Sequence, residues 1–387
     1  MAKKTWEITD CEKQIHQSSA KFDAGELGID GSSVVVKTLQ GGLNAGVQTI
    51  EVVTPKCRFV ILPTRGMSLW KAWSAEMEYG WKSPVQGPVH PSFVPLMEPS
   101  GLGWLDGFDE LLVRCGLESN GAPEDDEKGK LRYPLHGRIG NKPARKVSLE
   151  VDSASGDISV IGEVEECRFH FWKLKLTSRT TIKAGSATIQ IHDTIENLSA
   201  SEAECQMLYH VNFGQPLLDA GSQFVAPLKT VVPRNDHAAS GIANWQNYPA
   251  PQAGYEEQVY FMHLLGDDRG TTQTLLKNAH GTSGVSLGFN IKHLPVYTVW
   301  KNPTALEDGY VTGLEPGTNL PNPRSYEGKQ GRVVKIAGGK SHSLDLSLTF
   351  HNDAAAILKA EAEIAKLQGS TEPKTFDSPQ PGWCADA

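Results

Sequence analysis

The sequence predicts an all-β protein: large antiparallel sheets packed as one very large sandwich, with a few short helices and one helix near the C-terminus. Three observations carry this. Long stretches alternate apolar and polar residues with strict period two, the signature of half-buried strands. Turn clusters such as Lys183-Ala184-Gly185 and Ala337-Gly338-Gly339 separate them. Finally, strand-like runs do not alternate with helices of about 10–15 residues, which disfavours a parallel βαβ architecture.

The alternation is clearest in "ATIQIHDTI", where Ala187, Ile189 and Ile191 share one face and Thr188, Gln190, His192 and Thr194 the other. "SLDLSLTF" repeats it with Leu344, Leu346, Leu348 and Phe350. Further strands are expected at "VQTIEVV", "RFVILP", "MSLWKAW", "RKVSLEV", "DISVIGEV", "FHFWKLKLTSRTTI", "ECQMLYHVNF", "VSLGFNI" and "RVVKIAG". The segment 81–134 differs: it is thick with Pro, Gly, Trp, Phe and His and reads as a long packed insertion beside a site. "DAAAILKAEAEIAKLQG" is rich in helix formers, sets Ile357, Ala360, Ile364 and Leu367 in one stripe, offers Asp353 as a cap and ends at Gly369. The expected organisation is one sandwich domain over 1–350, a helix over 351–369 and a Pro-containing tail over 370–387.

The bulk numbers bound the partners. With 387 residues, 21% charged and a formal net charge of -8, the chain is ordinary globular material without the basic runs that track nucleic acid or an anionic membrane. No apolar window approaches the roughly 18 residues of a membrane-spanning helix, and "MAKKTWEITDCEKQIHQ" is not a secretory signal. The six cysteines lack a Cys-x-x-Cys pair, which argues against common zinc sites and for reduced thiols in a cytoplasm. The oligomeric state is not legible.

Chemistry concentrates where a proton-transfer group sits among apolar strand residues. His136 lies in "YPLHGRIG", followed by Arg138; His210 lies in "MLYHVNFGQPLL", followed by Asn212; Glu315 lies in "YVTGLEPGTNL", just ahead of Pro316. Proline there is expected to break the ladder and aim Glu315 from a strand end into a cleft. Each has a plainer reading. His136 serves equally as a turn cap, His210 as a core histidine, Glu315 as a salt-bridge partner and Arg138 as a partner for the acidic run Glu124–Glu127. Among the tryptophans that could stack on a sugar, Trp104, Trp245 and Trp300, the last is preferred. His192 reads as surface, and His90 is open.

The motifs "PTRGM", "CGL", "YPLHGRIGN", "LYHVNFGQPLL" and "GLEP", in this order between about Gly46 and Phe350, resemble the aldose 1-epimerase (galactose mutarotase-like) superfamily, and more closely an aldose-epimerase-related branch of it. The resemblance implies a supersandwich of antiparallel sheets, a sugar in an open cleft and no cofactor or metal. It further implies His210 as the acid that protonates the ring oxygen and Glu315 as the base that takes the anomeric proton. His136, Arg138, Arg65, Asn212 and Trp300 are then expected to bind the sugar. Histidine and glutamate suit these tasks by their ordinary pKa values of about 6.5 and 4.3. Gly137-Arg138 stands where the superfamily usually has two glycines, and the added cation points to an acidic or modified sugar such as a uronate. Two alternatives stay open. His136, His210 and Glu315, with His90 or Glu98, could hold a metal for isomerisation or elimination on a keto-sugar; or the cleft could bind carbohydrate without turnover.

Overall fold

The computed structural model describes residues 3–385. Two large sheets face one another. The larger, 14-stranded, runs along its main path from Lys374–Thr375 through Leu228–Pro233, Gln258–Leu264, Val296–Asn302, Val311–Gly317, Ala203–Phe213, Leu112–Leu117 and Ser68–Ser74 to Ser19–Phe22. The smaller, 10-stranded, is centred on Lys173–Lys183, Thr188–Asn197 and Ser341–His351. Neighbours pair antiparallel except Leu228–Pro233 with Lys374–Thr375.

Period two produces this packing. In Thr188–Asn197 the buried face carries Ile189, Ile191 and Ile195, and in Ser341–His351 it carries Leu344, Leu346, Leu348 and Phe350. Each such side chain contributes about 1.5–3 kcal/mol on leaving water. The sheets approach closely at Gly162, where a Cβ would lie 2.2 Å from the Met67 sulfur. They are also tied by charge: Arg114 of the larger sheet donates to both carboxylate oxygens of Asp193 on the smaller, at 2.5 and 3.1 Å, and to Ser178 Oγ at 2.8 Å.

The C-terminal helix forms over Ala354–Gln368, capped by Asp353 on the Ala356 amide, and buries Ile357, Ala360 and Ile364. Short helices occupy Ala24–Leu27, Asp236–Ser240 and Arg324–Lys329.

Three expectations are corrected. The segment 81–134 is not all insertion, because Leu112–Leu117 is a wholly buried interior strand of the larger sheet, between Ala203–Phe213 and Ser68–Ser74. "FHFWKLKLTSRTTI" is not one strand: Lys173–Lys183 is preceded by a hairpin tip that leaves Phe169 and Phe171 exposed. Pro316 does not end its strand; it pairs with Tyr297 inside Val311–Gly317, so Glu315 projects from the body of the sheet.

Candidate functional site

Strand parity builds the floor of a cleft on the outer face of the larger sheet. Ala203–Phe213 turns Cys205, Met207, Tyr209, Val211 and Phe213 inward to the main core, so Leu208, His210 and Asn212 face outward. Val311–Gly317 likewise sends Leu314 inward and Gly313 and Glu315 outward. Val296–Asn302 adds Thr298, opposite Glu315, and Trp300, opposite Gly313. The cleft has a volume of about 620 Å³, within the range of small-molecule sites.

At the floor, His210 Nε2 lies 3.2 Å from Glu315 Oε1, both residues being buried. His210 Nδ1 lies 2.6 Å from Asn212 Oδ1. The Asn212 amide nitrogen donates to the carbonyls of Glu110 at 3.0 Å and of His210 at 3.3 Å, which fixes the oxygen toward the imidazole. Gly313 leaves the room this needs: a Cβ there would stand 2.6 Å from Glu315 Oε1 and 2.9 Å from His210 Cε1.

His136 reaches the pair from the loop side, its ring centroid 5.2 Å from that of His210. Its Nδ1 bonds the Asn120 carbonyl at 3.0 Å, leaving Nε2 for the cleft. His136 is held at φ 57°, unusual for a residue with a side chain. Gly137 after it lies so close to the Gly116 and Ser119 carbonyls that a Cβ would meet them at 2.4 and 2.0 Å. Thus the glycine of "LHG" is required by backbone crowding. The walls are aromatic: Trp104 lies 4.6 Å from His136, Phe108 5.2 Å and Trp300 5.6 Å from His210, between ring centroids.

These walls set the electrostatics. Burial pushes the His136 imidazole down to about 4. It also holds His210 well below the usual histidine value, with the neighbouring His136 adding to the effect. Burial drives Glu315 well above the usual carboxylate value, and the nearby charge of Glu257 pushes the same way.

Of the residues expected at the site, His136, His210, Glu315 and Trp300 line the cleft. Asn212 lies directly beneath, bonded to His210, and is corrected from sugar ligand to support. Arg65 is corrected outright. It is 1% exposed, pairs with Glu110 at 2.5 Å, and spends its other nitrogens on Asn141 Oδ1 and the Val89 and Gly107 carbonyls. Arg138 also lies off the cleft lining, against Glu118 Oε2 at 2.5 Å, and not on the acidic run. Trp245 packs in the main core, and His192 pairs with Asp345 on the surface. His90 bonds Ser92, and Glu98 caps the Ser100 and Leu102 amides; neither lines the cleft with the other candidate metal ligands. Among the described residues no three His, Cys, Asp or Glu side chains form a group suited to a metal ion.

The sequence reading missed Trp81, Arg234, Glu257, Asn302 and Asp308 in the lining. Glu257 accepts from Trp300 Nε1 at 2.6 Å and from Arg234 at 3.1 Å. A charged residue just before an apolar strand is too common to mark a site; only the register of Val259 opposite Trp300 brings this one in.

Comparison with known proteins agrees with this architecture. Residues 44–350 match the family model described as a domain of unknown function, DUF4432. A crystal structure described as a "putative aldose 1-epimerase" from Klebsiella pneumoniae superposes with a TM-score of 0.95 at 35% identity, over 98% of this chain and 99% of that one. A galactose mutarotase-like protein from Clostridium acetobutylicum superposes at 0.55 with 14% identity, over 79% and 96% of the two chains. A galactose mutarotase related enzyme from Lactobacillus acidophilus does so at 0.54 with 14% identity, over 79% and 98%. No curated protein matches the sequence. No helix among the described residues is long and apolar enough to cross a membrane. On the family match and the 35% relative together, the chain belongs to the DUF4432 family and has the galactose mutarotase-like fold.

Proposed function

We propose that the chain is an aldose 1-epimerase-like isomerase that interconverts the anomers of a free reducing sugar by acid–base ring opening. The observation that carries this reading is the buried His210–Glu315 contact of 3.2 Å at the floor of an aromatic-walled cleft. Opening a hemiacetal needs a proton delivered to the ring oxygen while one leaves the anomeric hydroxyl. Those two oxygens share one carbon, so two groups in contact serve both. Each such group is typically worth ~10²–10⁴ in rate. His136 Nε2 and the Glu257–Arg234 pair supply hydrogen bonds for hydroxyls, and Trp300 or Trp104 a face for the sugar's C–H side.

The lining favours an uncharged sugar. Arg138, which would have favoured a uronate, is held by Glu118, and Arg234 of the lining is held by Glu257. Saturation-transfer NMR of anomer exchange across neutral sugars and uronates tests the proposal, comparing wild type with His210→Ala and Glu315→Ala. Acceleration on a neutral sugar that both variants abolish supports it. No acceleration on any sugar would leave a carbohydrate-binding protein without turnover.

A further inference from the structure

We propose that the cleft is built for two sugar rings, so that the substrate is the reducing end of a neutral disaccharide or longer chain and not a lone monosaccharide. This names the substrate class of the ring-opening reading and rests on that reading for turnover. Binding of a second ring does not depend on it.

Register sets the length of the floor. Glu315 pairs with Thr298, Gly313 with Trp300 and Val311 with Asn302, so these rows follow one another along the outward face. Two residues separate each row from the next, a step of about 6.7 Å, and the floor runs about 13 Å from the acid–base pair to Asn302. One pyranose with its C1 held at His210 and Glu315 covers the first step, over Trp300 and Gly313. The second step is left for another ring, within the same cavity of about 620 Å³.

The side chains around that second step have the chemistry of a sugar subsite. Trp81, packed on Phe108 at 4.8 Å between ring centroids, and Pro84 offer apolar surface to C–H faces. Asn302 and Asp308 offer polar atoms. The exposed Asp308 carboxylate makes no side-chain hydrogen bond or ion pair among the described residues. Asn302 spends its amide only on a long bond of 3.5 Å to the Gly309 carbonyl. A carboxylate accepts from sugar hydroxyls, and a primary amide both donates and accepts. The far end is closed by two chain segments in contact. Gly309, at φ 91°, brings its turn so near that a Cβ would stand 2.9 Å from Pro84 Cδ and 3.2 Å from Trp81 Cζ3. Charge selects a neutral second ring: Arg234 of the lining is held by Glu257, and an anionic ring would meet the Asp308 charge uncompensated.

Saturation-transfer NMR of anomer exchange tests this. The probes are 1,4- and 1,6-linked glucobioses, mannobiose and galactobiose, each against the monosaccharide of its reducing end. We expect at least one disaccharide with kcat/KM about 10-fold above its monosaccharide, the gain lying mainly in KM. Asp308→Ala and Asn302→Ala should each return that ratio toward one. Monosaccharides used as well as every disaccharide would overturn the proposal, and so would a preference that both variants retain. Where no sugar is turned over, calorimetric titration with the same panel decides. Tighter binding of a disaccharide, weakened by Asp308→Ala, keeps the two-ring cleft while the isomerase reading fails; no binding of any probe overturns both.

Discussion

Two buried acid–base pairs lie on either side of one strand and are built in opposite ways. Facing inward, Tyr209 joins Arg114 in donating to Asp193, so that carboxylate receives three hydrogen bonds and a full positive charge. Facing outward from the next residue, His210 lies 3.2 Å from Glu315, the one ion-pair contact of that carboxylate among the described residues. The inner pair is saturated and serves to join two sheets. The outer pair is left short of partners, and a group short of partners is one whose proton can move. Strained or under-satisfied groups are tolerated where function uses them.

The comparison can be broken from its strongest side. Arg114→Ala should destabilise the fold by about 3–5 kcal/mol, since it strands the Asp193 charge between the sheets; urea unfolding measures it, and a loss under 1 kcal/mol would mean the inner pair is not what binds the sheets. Glu315→Gln should do the reverse. Anomer exchange falls by ~10²–10⁴ while the melting temperature holds or rises, because a poorly partnered buried acid has gone. A matching loss of stability would erase the distinction between the two pairs.

The cleft also leaves a mark on stability through His136. Its value of about 4 in the folded protein lies below the ordinary 6.5, so between those pH values the unfolded chain binds a proton that the folded chain does not. Stability is therefore complete above pH ~6.5 and falls as pH drops toward 4, by up to about 3 kcal/mol. His136→Gln should flatten that slope in unfolding curves measured across the range. The smallest effect expected is at Asn212. Asn212→Ala removes the hydrogen bond that fixes the His210 ring, and a loss of about 1.5–3 kcal/mol corresponds to roughly 10–100-fold in kcat. Steady-state kinetics should show KM little changed, since Asn212 supports the ring from beneath.

The sheets were legible because their chemistry is local. Ile189 to Ile191 and Leu344 to Phe350 announce their buried faces by alternation alone. Leu112–Leu117 was hidden because it is buried on both faces, so nothing alternates, and because Pro- and Gly-rich chain precedes it. At the site, His136, His210 and Glu315 stood out as polar groups in apolar strands and were expected together on a resemblance. Arg65 was expected there on the resemblance alone and does something else: its partners Glu110 and Asn141 lie 45 and 76 positions away, where no sequence pattern connects them. An arginine among apolar residues marks a buried charge, and only the fold reveals whether protein or ligand neutralises it.

The alternation along Ala203–Phe213 has a use for anyone wishing to redesign the molecule. Its odd positions, Cys205 to Phe213, belong to the main core, while Leu208, His210 and Asn212 face the cleft side, where His210 alone of the three reaches the lining. Val311–Gly317 divides the same way, with Leu314 committed to the interior and Gly313 and Glu315 to the cleft. Libraries confined to the positions of these strands that line the cleft, with Gly313, Leu208 and Asn212 kept, can therefore explore new chemistry with the least disturbance to the scaffold that displays it.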